Sequence, residues 1–181
     1  MKLFCVASSA PADIRRGFIP ARNSLSELGA GSAAWLQTVE PQCPMIIAPD
    51  VSLTGQPCFE QNIQVVPALS DRDHGEWHGR NLRDLSPTAL RDWLNDPQFS
   101  PPSGESAGAV FDCIGGWLGS LANDASHRVI IARPAVIRML LIHGLGGGVE
   151  MVGRLDVPPS SRSDMSYHMG WRVSRIGVPL G

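Results

Sequence analysis

The stretch Val129-Ile130-Ile131-Ala132-Arg133-Pro134-Ala135-Val136-Ile137-Arg138-Met139-Leu140-Leu141 decides the fold class. It opens on a short apolar run rich in β-branched residues, which reads as a buried strand. A helix over 135–145 follows, and glycines 146–148 stop it. Other strand-like runs lie upstream at Met1–Val6, Met45–Ala48 and Ile63–Val66. Between them the pattern predicts a helix over Ser24–Val39, where Ser24 and Glu27 are spaced as a capping box. Val51–Cys58 is a poor helix, weakened by Gly55 and Pro57. Ser86–Asn95 is a convincing one, with Ser86 as cap, Pro87 in the first turn and Leu90, Trp93 and Leu94 as its apolar face. Ser106–Ala122 places Val110, Phe111, Ile114, Trp117, Leu118 and Leu121 inward. Downstream, a strand is predicted near Gly153–Val157 and a hairpin-like stretch over Met165–Ile176.

Strands that alternate with helices favour an α/β fold. The expected architecture is a single domain over residues 1–181, a three-layer sandwich around a mostly parallel sheet. Ligands in such folds sit at the carboxyl ends of strands. The strand ends of interest are Ala7-Ser8-Ser9 and Ala132-Arg133-Pro134.

The bulk properties narrow the function classes. The chain has 181 residues, enough to bury a core, with 43% hydrophobic and 18% charged content. A net charge of −2 and no strongly basic segment argue against nucleic acid as partner. No apolar run reaches the length of a membrane span, and no long apolar leader follows Lys2. Cys5, Cys43, Cys58 and Cys113 form no CxxC pair, so reduced thiols in a cytoplasmic protein are expected rather than a disulfide framework or a zinc site.

Several segments together resemble one family. They are the strand Leu3-Phe4-Cys5-Val6, the block Leu69-Ser70-Asp71-Arg72-Asp73-His74-Gly75-Glu76-Trp77-His78-Gly79, the triplet Gly104-Glu105-Ser106 and the late strand-to-helix unit. In order and spacing they resemble the histidine phosphatase superfamily, also called phosphoglycerate mutase-like. The resemblance runs from Lys2 to about Arg175 and implies that fold. In active members a histidine after the first strand attacks phosphorus. Two arginines and a second histidine hold the phosphoryl oxygens, and an acid protonates the leaving group. By this resemblance the first arginine falls on Ala7, the nucleophile on Ser8, its glycine on Ser9 and the second arginine loosely on Leu53. The second histidine falls on Arg133, and the acid survives as Asp71.

Phosphoryl transfer depends on positioning and on positive charge around the equatorial oxygens. The expectation is therefore a catalytically degenerate protein that no longer works through phosphohistidine. It would bind a small anionic metabolite or a partner protein in the old pocket. The alternative is a repurposed isomerase, lyase or cyclase, with Asp71 as acid-base group and Arg133 and Ser8 holding a carboxylate or carbonyl. Residual phosphatase activity is the third reading.

Candidate ligand contacts are Ser8, Ser9, Arg133, Arg15, His74 and Glu76, and an enzyme would use Asp71 and Ser8 catalytically. Arg133 reads equally as an anion holder or as half of an ion pair with Asp71. Ser8 and Ser9 read as donors to a ligand or as space-filling residues, and Arg15 as a replacement cation or a solvated one. His74 and His78 around Glu76 invite a metal reading, but Gly75 and Gly79 disfavour a helix there, so no metal and no cofactor is expected. A homodimer is left open.

Overall fold

The computed structural model describes residues 1–39, 43–53, 63–121 and 126–180. In chain order the elements are β1 (Lys2–Ala7), α1 (Ala12–Arg15), β2 (Ser26–Glu27), α2 (Ala30–Leu36), β3 (Met45–Ile47), β4 (Val51–Ser52) and β5 (Ile63–Val65). They continue with α3 (Pro87–Asn95), α4 (Ala107–Ser120), β6 (Arg128–Ala132), α5 (Pro134–Gly144), β7 (Ser161–Tyr167) and β8 (Trp171–Pro179). Six strands form one sheet in the order β5-β3-β6-β1-β7-β8, while β2 and β4 pair separately. The β5, β3, β6 and β1 strands run parallel, and β7 and β8 are antiparallel additions. The sheet is thus mixed, with its parallel half where the sequence reading places it.

Register shows how the layers form. Leu3 pairs with Met165 and Phe4 with Asp164, so consecutive residues of β1 face opposite layers. Phe4 meets Trp35 of α2 edge-to-face at 5.9 Å. On the other face, Gly144 of α5 lies so close to Met165 that a Cβ there would fall 2.3 Å from its Cε. The sheet is therefore covered by α2 on one side and by α5 on the other. Leu3, Val129, Ile130, Ile131, Ile137, Leu140 and Leu141 are fully buried between these layers. Each such side chain contributes about 1.5–3 kcal/mol by leaving water.

The helix starts follow local chemistry. The Ser86 hydroxyl accepts the Ala89 N–H and the Ser106 hydroxyl accepts the Ala109 N–H, each closing an orphan donor of its first turn. Val110, Phe111, Ile114 and Leu118 of α4 are buried as expected, while Trp117 and Leu121 are partly buried. Leu90 and Trp93 of α3 pack on a second small core of Ile19, Trp77 and Leu85. Leu94, assigned to the same face, is 67% exposed instead.

Three local expectations are corrected. The helix predicted from Ser24 begins only at Ala30, after Gly29, with no side-chain cap. Ser26 and Glu27 instead pair with Val51 and Ser52, a long-range partner that overrides the local capping pattern. No strand forms at 153–157, and the terminal hairpin is longer than expected, spanning 161–179. Val51–Ser52 is strand rather than helix, and the segment from 54 to Cys58 lies outside the described residues. Cys5 is buried, and burial, with the Asp164 charge second, pushes its thiol up to about 12. Cys43 is half-buried and Cys113 exposed, and neither is in a disulfide. No helix among the described residues is long and apolar enough to cross a membrane.

Candidate functional site

Strand ends, a loop and a helix start converge on one pocket of about 480 Å³. One wall is the loop Ala21-Arg22-Asn23-Ser24-Leu25, and the other is Ser70-Asp71-Arg72-Asp73 with His78. Pro49 and Asp50, just past β3, and Arg133, just past β6, close the base.

Arg133 is the centre of this arrangement. It is the N-cap of α5, placed there because Pro134 takes the first helical position. The residue is only 7% exposed. Its Nε lies 2.8 Å from Asp50 Oδ2, its Nη1 3.3 Å from Asp71 Oδ2, and its Nη2 donates to the Ser24 carbonyl. Of the two readings of Arg133 the ion pair with Asp71 is formed, with Asp50 as a second partner, and the residue also lines the pocket. Asp71 Oδ1 also receives the Arg72 N–H at 2.9 Å, and the Asp71 N–H donates to Asp50 Oδ2 at 3.3 Å. Burial holds the Asp50 carboxyl above the ordinary range despite the Arg133 charge, and Asp71 adds repulsion.

A second charged group spans the mouth. Arg22 Nη1 donates to Asp73 Oδ2 at 3.0 Å and Nη2 to the Gly75 carbonyl at 3.4 Å, linking the two walls. Asp73 Oδ1 accepts the Gly75 N–H at 2.8 Å and lies 2.7 Å from His78 Nε2. His78 Nδ1 lies 2.8 Å from the Pro20 carbonyl, so the ring is pinned between acceptors on both walls. The Gly75 hydrogen bond, opposed next by desolvation and aided by the His78 hydrogen bond and the Arg22 charge, holds the Asp73 carboxyl below its usual value.

The other predicted site residues lie elsewhere. Ser8 directly follows β1 but is fully buried and is not among the described residues that line the pocket. Its N–H donates to the Ala132 carbonyl, its carbonyl accepts from Ser160, and its hydroxyl has no partner. The Ser9 hydroxyl is committed to the Glu27 carbonyl at 2.7 Å. Arg15 is exposed on the short α1 and is absent from the pocket wall. Glu76 is exposed, with its Oε1 3.4 Å from the Ser103 hydroxyl. Among the described residues no group of three or more His, Cys, Asp or Glu could hold a metal ion.

His74 sits behind the pocket rather than in it. Its ring meets those of His78 at 5.7 Å and Trp93 at 5.8 Å, and its Nδ1 is buried without a partner. Burial, with help from the Arg72 and His78 charges, lowers its pKa from 6.5 to about 4, against the pull of Asp71 and Asp73. The folded state therefore prefers the neutral ring. Between 6.5 and about 4 the unfolded chain binds the extra proton, so stability is complete above 6.5 and is lost as pH falls through that window. The loss attributable to this ring is about 3 kcal/mol. A His74→Phe variant should show a flatter fall in urea stability between pH 7 and pH 4.5 than the parent. Parallel curves would refute the assignment.

Asp50 and Arg22 are not among the expected site residues, whereas Asp73 and His78 lie in the polar block over 69–79 that the sequence marks. Asp50 follows β3 as Arg133 follows β6, so the strand-end rule marks it too. Arg22 carries no local signal, because its role depends on a loop folding over the strand ends.

The family model described as histidine phosphatase superfamily (branch 1) matches residues 54–178. The chain belongs to this superfamily. The fold agrees. A mycobacterial glucosyl-3-phosphoglycerate phosphatase superposes with a TM-score of 0.78 at 16% identity, over 98% of each chain. The alpha-ribazole phosphatase from Shigella flexneri gives 0.79 at 18% identity, over 100% of this chain and 98% of that one. Curated proteins give no match by sequence. Membership corrects the expected function. The expectation of a degenerate binding protein, with an isomerase, lyase or cyclase as alternative, rests on what positions 7–9 and 133 lack. The family is of phosphatase type, and the two solved structures named above are phosphatases, which points away from a pseudoenzyme.

Proposed function

We propose that this chain is a phosphatase-type hydrolase of phosphate monoesters, with the phosphoryl group held by Arg133 and Arg22. The observation that carries this reading is the buried Arg133 guanidinium, set at the base of a pocket beside the superfamily's acid position, Asp71. A guanidinium fork matches phosphate oxygens, and its charge is felt more strongly where water is excluded. The start of α5 adds a partial positive charge at the same end.

Residue 8 is serine, and its hydroxyl is buried away from the pocket. The proposed nucleophile is therefore water, in a single displacement without a phosphohistidine. Phosphoryl transfer passes through a loose transition state, so positioning and charge matter more than nucleophile strength. The water oxygen bonds to phosphorus as the ester P–O bond breaks. Asp71, a carboxylate paired with Arg133 at rest, takes the proton released by water and gives it to the leaving oxygen.

An Asp71→Asn variant tests the acid. General acid catalysis contributes about 100- to 10,000-fold. The variant should lose at least about 100-fold in kcat on an alkyl phosphate, whose leaving group needs the proton. It should lose much less on p-nitrophenyl phosphate, whose leaving group does not. Phosphate release from neither ester by the parent chain, or an unchanged alkyl phosphate rate in the variant, would overturn the reading.

A further inference from the structure

We infer that the substrate of this pocket is zwitterionic, a phosphate monoester that also carries an ammonium group, bound by exchanging the Arg22–Asp73 ion pair for two new pairs. The inference rests on the phosphatase reading above and names its substrate class.

A pocket built for a simple anion would present surplus positive charge. Among the described residues this one is balanced, with three arginines and three aspartates on its walls. None of the guanidiniums is idle. Arg72 gives Nε to the Glu105 carbonyl at 2.7 Å and Nη2 to the Phe99 carbonyl at 2.5 Å, so it braces the wall. Arg133 is shared by Asp50 and Asp71, and Arg22 is held by Asp73. A phosphate dianion entering alone would displace carboxylates from arginines and leave them facing it.

The two carboxylate groups differ in how they bear this. Asp50 is half-buried, and desolvation holds its carboxyl above the ordinary range, so it sheds charge more readily than a solvated carboxylate. Asp73 is held anionic by Gly75, His78 and Arg22, so it keeps its charge when the ligand arrives. The Arg22–Asp73 pair is also the accessible one, with side chains 57% and 37% exposed. Exposed pairs of this kind are weak and exchange easily. When Arg22 turns to phosphate, Asp73 Oδ1 keeps Gly75 and His78 while Oδ2 loses its cation. An ammonium group on the substrate replaces that cation, and the pocket stays balanced.

The test compares O-phosphoethanolamine, ethyl phosphate and 3-phosphopropionate (ammonium, neutral and carboxylate) at pH 7 with the full chain. The expected order of kcat/KM follows that sequence. The first step is about 5- to 10-fold, the size of one charge-assisted hydrogen bond at a half-exposed site. An Asp73→Asn variant, which keeps an acceptor for the Gly75 N–H, should bring the first two esters within about 2-fold of each other, since the charge that separates them is gone. The parent comparison stands whether or not the variant folds. Equal rates on the three esters, or a reversed order, would overturn the zwitterion and leave the phosphatase reading standing. Turnover of none would remove both.

Discussion

Replacing Arg133 by methionine should destabilise the protein by about 3–5 kcal/mol and remove its turnover as well. The guanidinium is 7% exposed and is shared by Asp50 and Asp71, with a third bond to the Ser24 carbonyl. Methionine fills much of the same volume but leaves two carboxylates facing each other without a cation. Removing one partner of a buried ion pair typically costs about 3–5 kcal/mol, because the surviving charge stays desolvated. Activity should fall by at least about 100-fold, the usual effect of losing one preorganised charge or donor at a transition state. Two effects from one change need separating. Adding Asp50→Asn and Asp71→Asn to the Arg133→Met background removes the stranded charges. It should recover most of the urea midpoint but none of the turnover. A single Arg133→Met variant with parental stability would show that the buried pairs are not what holds the strand ends together.

A Gly75→Ala variant should lose at least about 4 kcal/mol, enough to show as loss of soluble protein or a steep drop in melting temperature. Gly75 has φ +54°, which alanine adopts only under strain. Space is the larger obstacle. A Cβ at residue 75 would lie 2.0 Å from the Pro102 carbonyl oxygen and 2.5 Å from the Gly104 nitrogen. Neither atom can yield cheaply, since both belong to backbone that is bonded across the same gap. Glu76 N–H donates to Pro102 O at 2.9 Å, Glu105 N–H to Asp73 O at 2.8 Å, and Asp73 N–H to Glu105 Oε2 at 3.0 Å. Forcing the two segments apart breaks these bonds and frees the loop that aims Asp73 and His78. Gly79 is the built-in control, with φ +76° but no atom within 4 Å of where a Cβ would stand. Gly79→Ala should cost only about 1 kcal/mol, the strain alone. Equal melting temperatures for the two variants would refute the steric argument.

These two sites also show what local sequence can reveal. The caps at Ser86 and Ser106 are legible because the hydroxyl and the N–H it accepts lie three residues apart. The strand at 128–132 and the helix after it are legible because each carries its own apolar pattern. The start of α2 is not, because Ser26–Glu27 is fixed by Val51–Ser52, whose pairing leaves no mark in the intervening residues. Within the pocket, Arg133 is legible from its place after a buried strand, and Asp71 from the family resemblance of the block around it. Ser8 has the right backbone position and the wrong surroundings, since the segment around Ser160 covers it. Arg22 becomes part of the site through a loop that folds across the pocket mouth, a tertiary event with no periodic signature.

The order of the sheet has a consequence for how the chain is made. Lys2–Ala7 lies at the centre, flanked by residues 128–132 on one side and 162–166 on the other. No partner strand of β1 in this sheet is synthesised until more than 120 residues have followed it. Such long-range closure slows folding, because the entropy of the loop must be lost before any ladder bond forms. During elongation this apolar segment has both edges open, which is the condition that invites pairing with another nascent chain. The same arrangement makes completion abrupt. When the hairpin at 161–179 docks, it closes the central strand and its 160–161 approach covers Ser8 in one step.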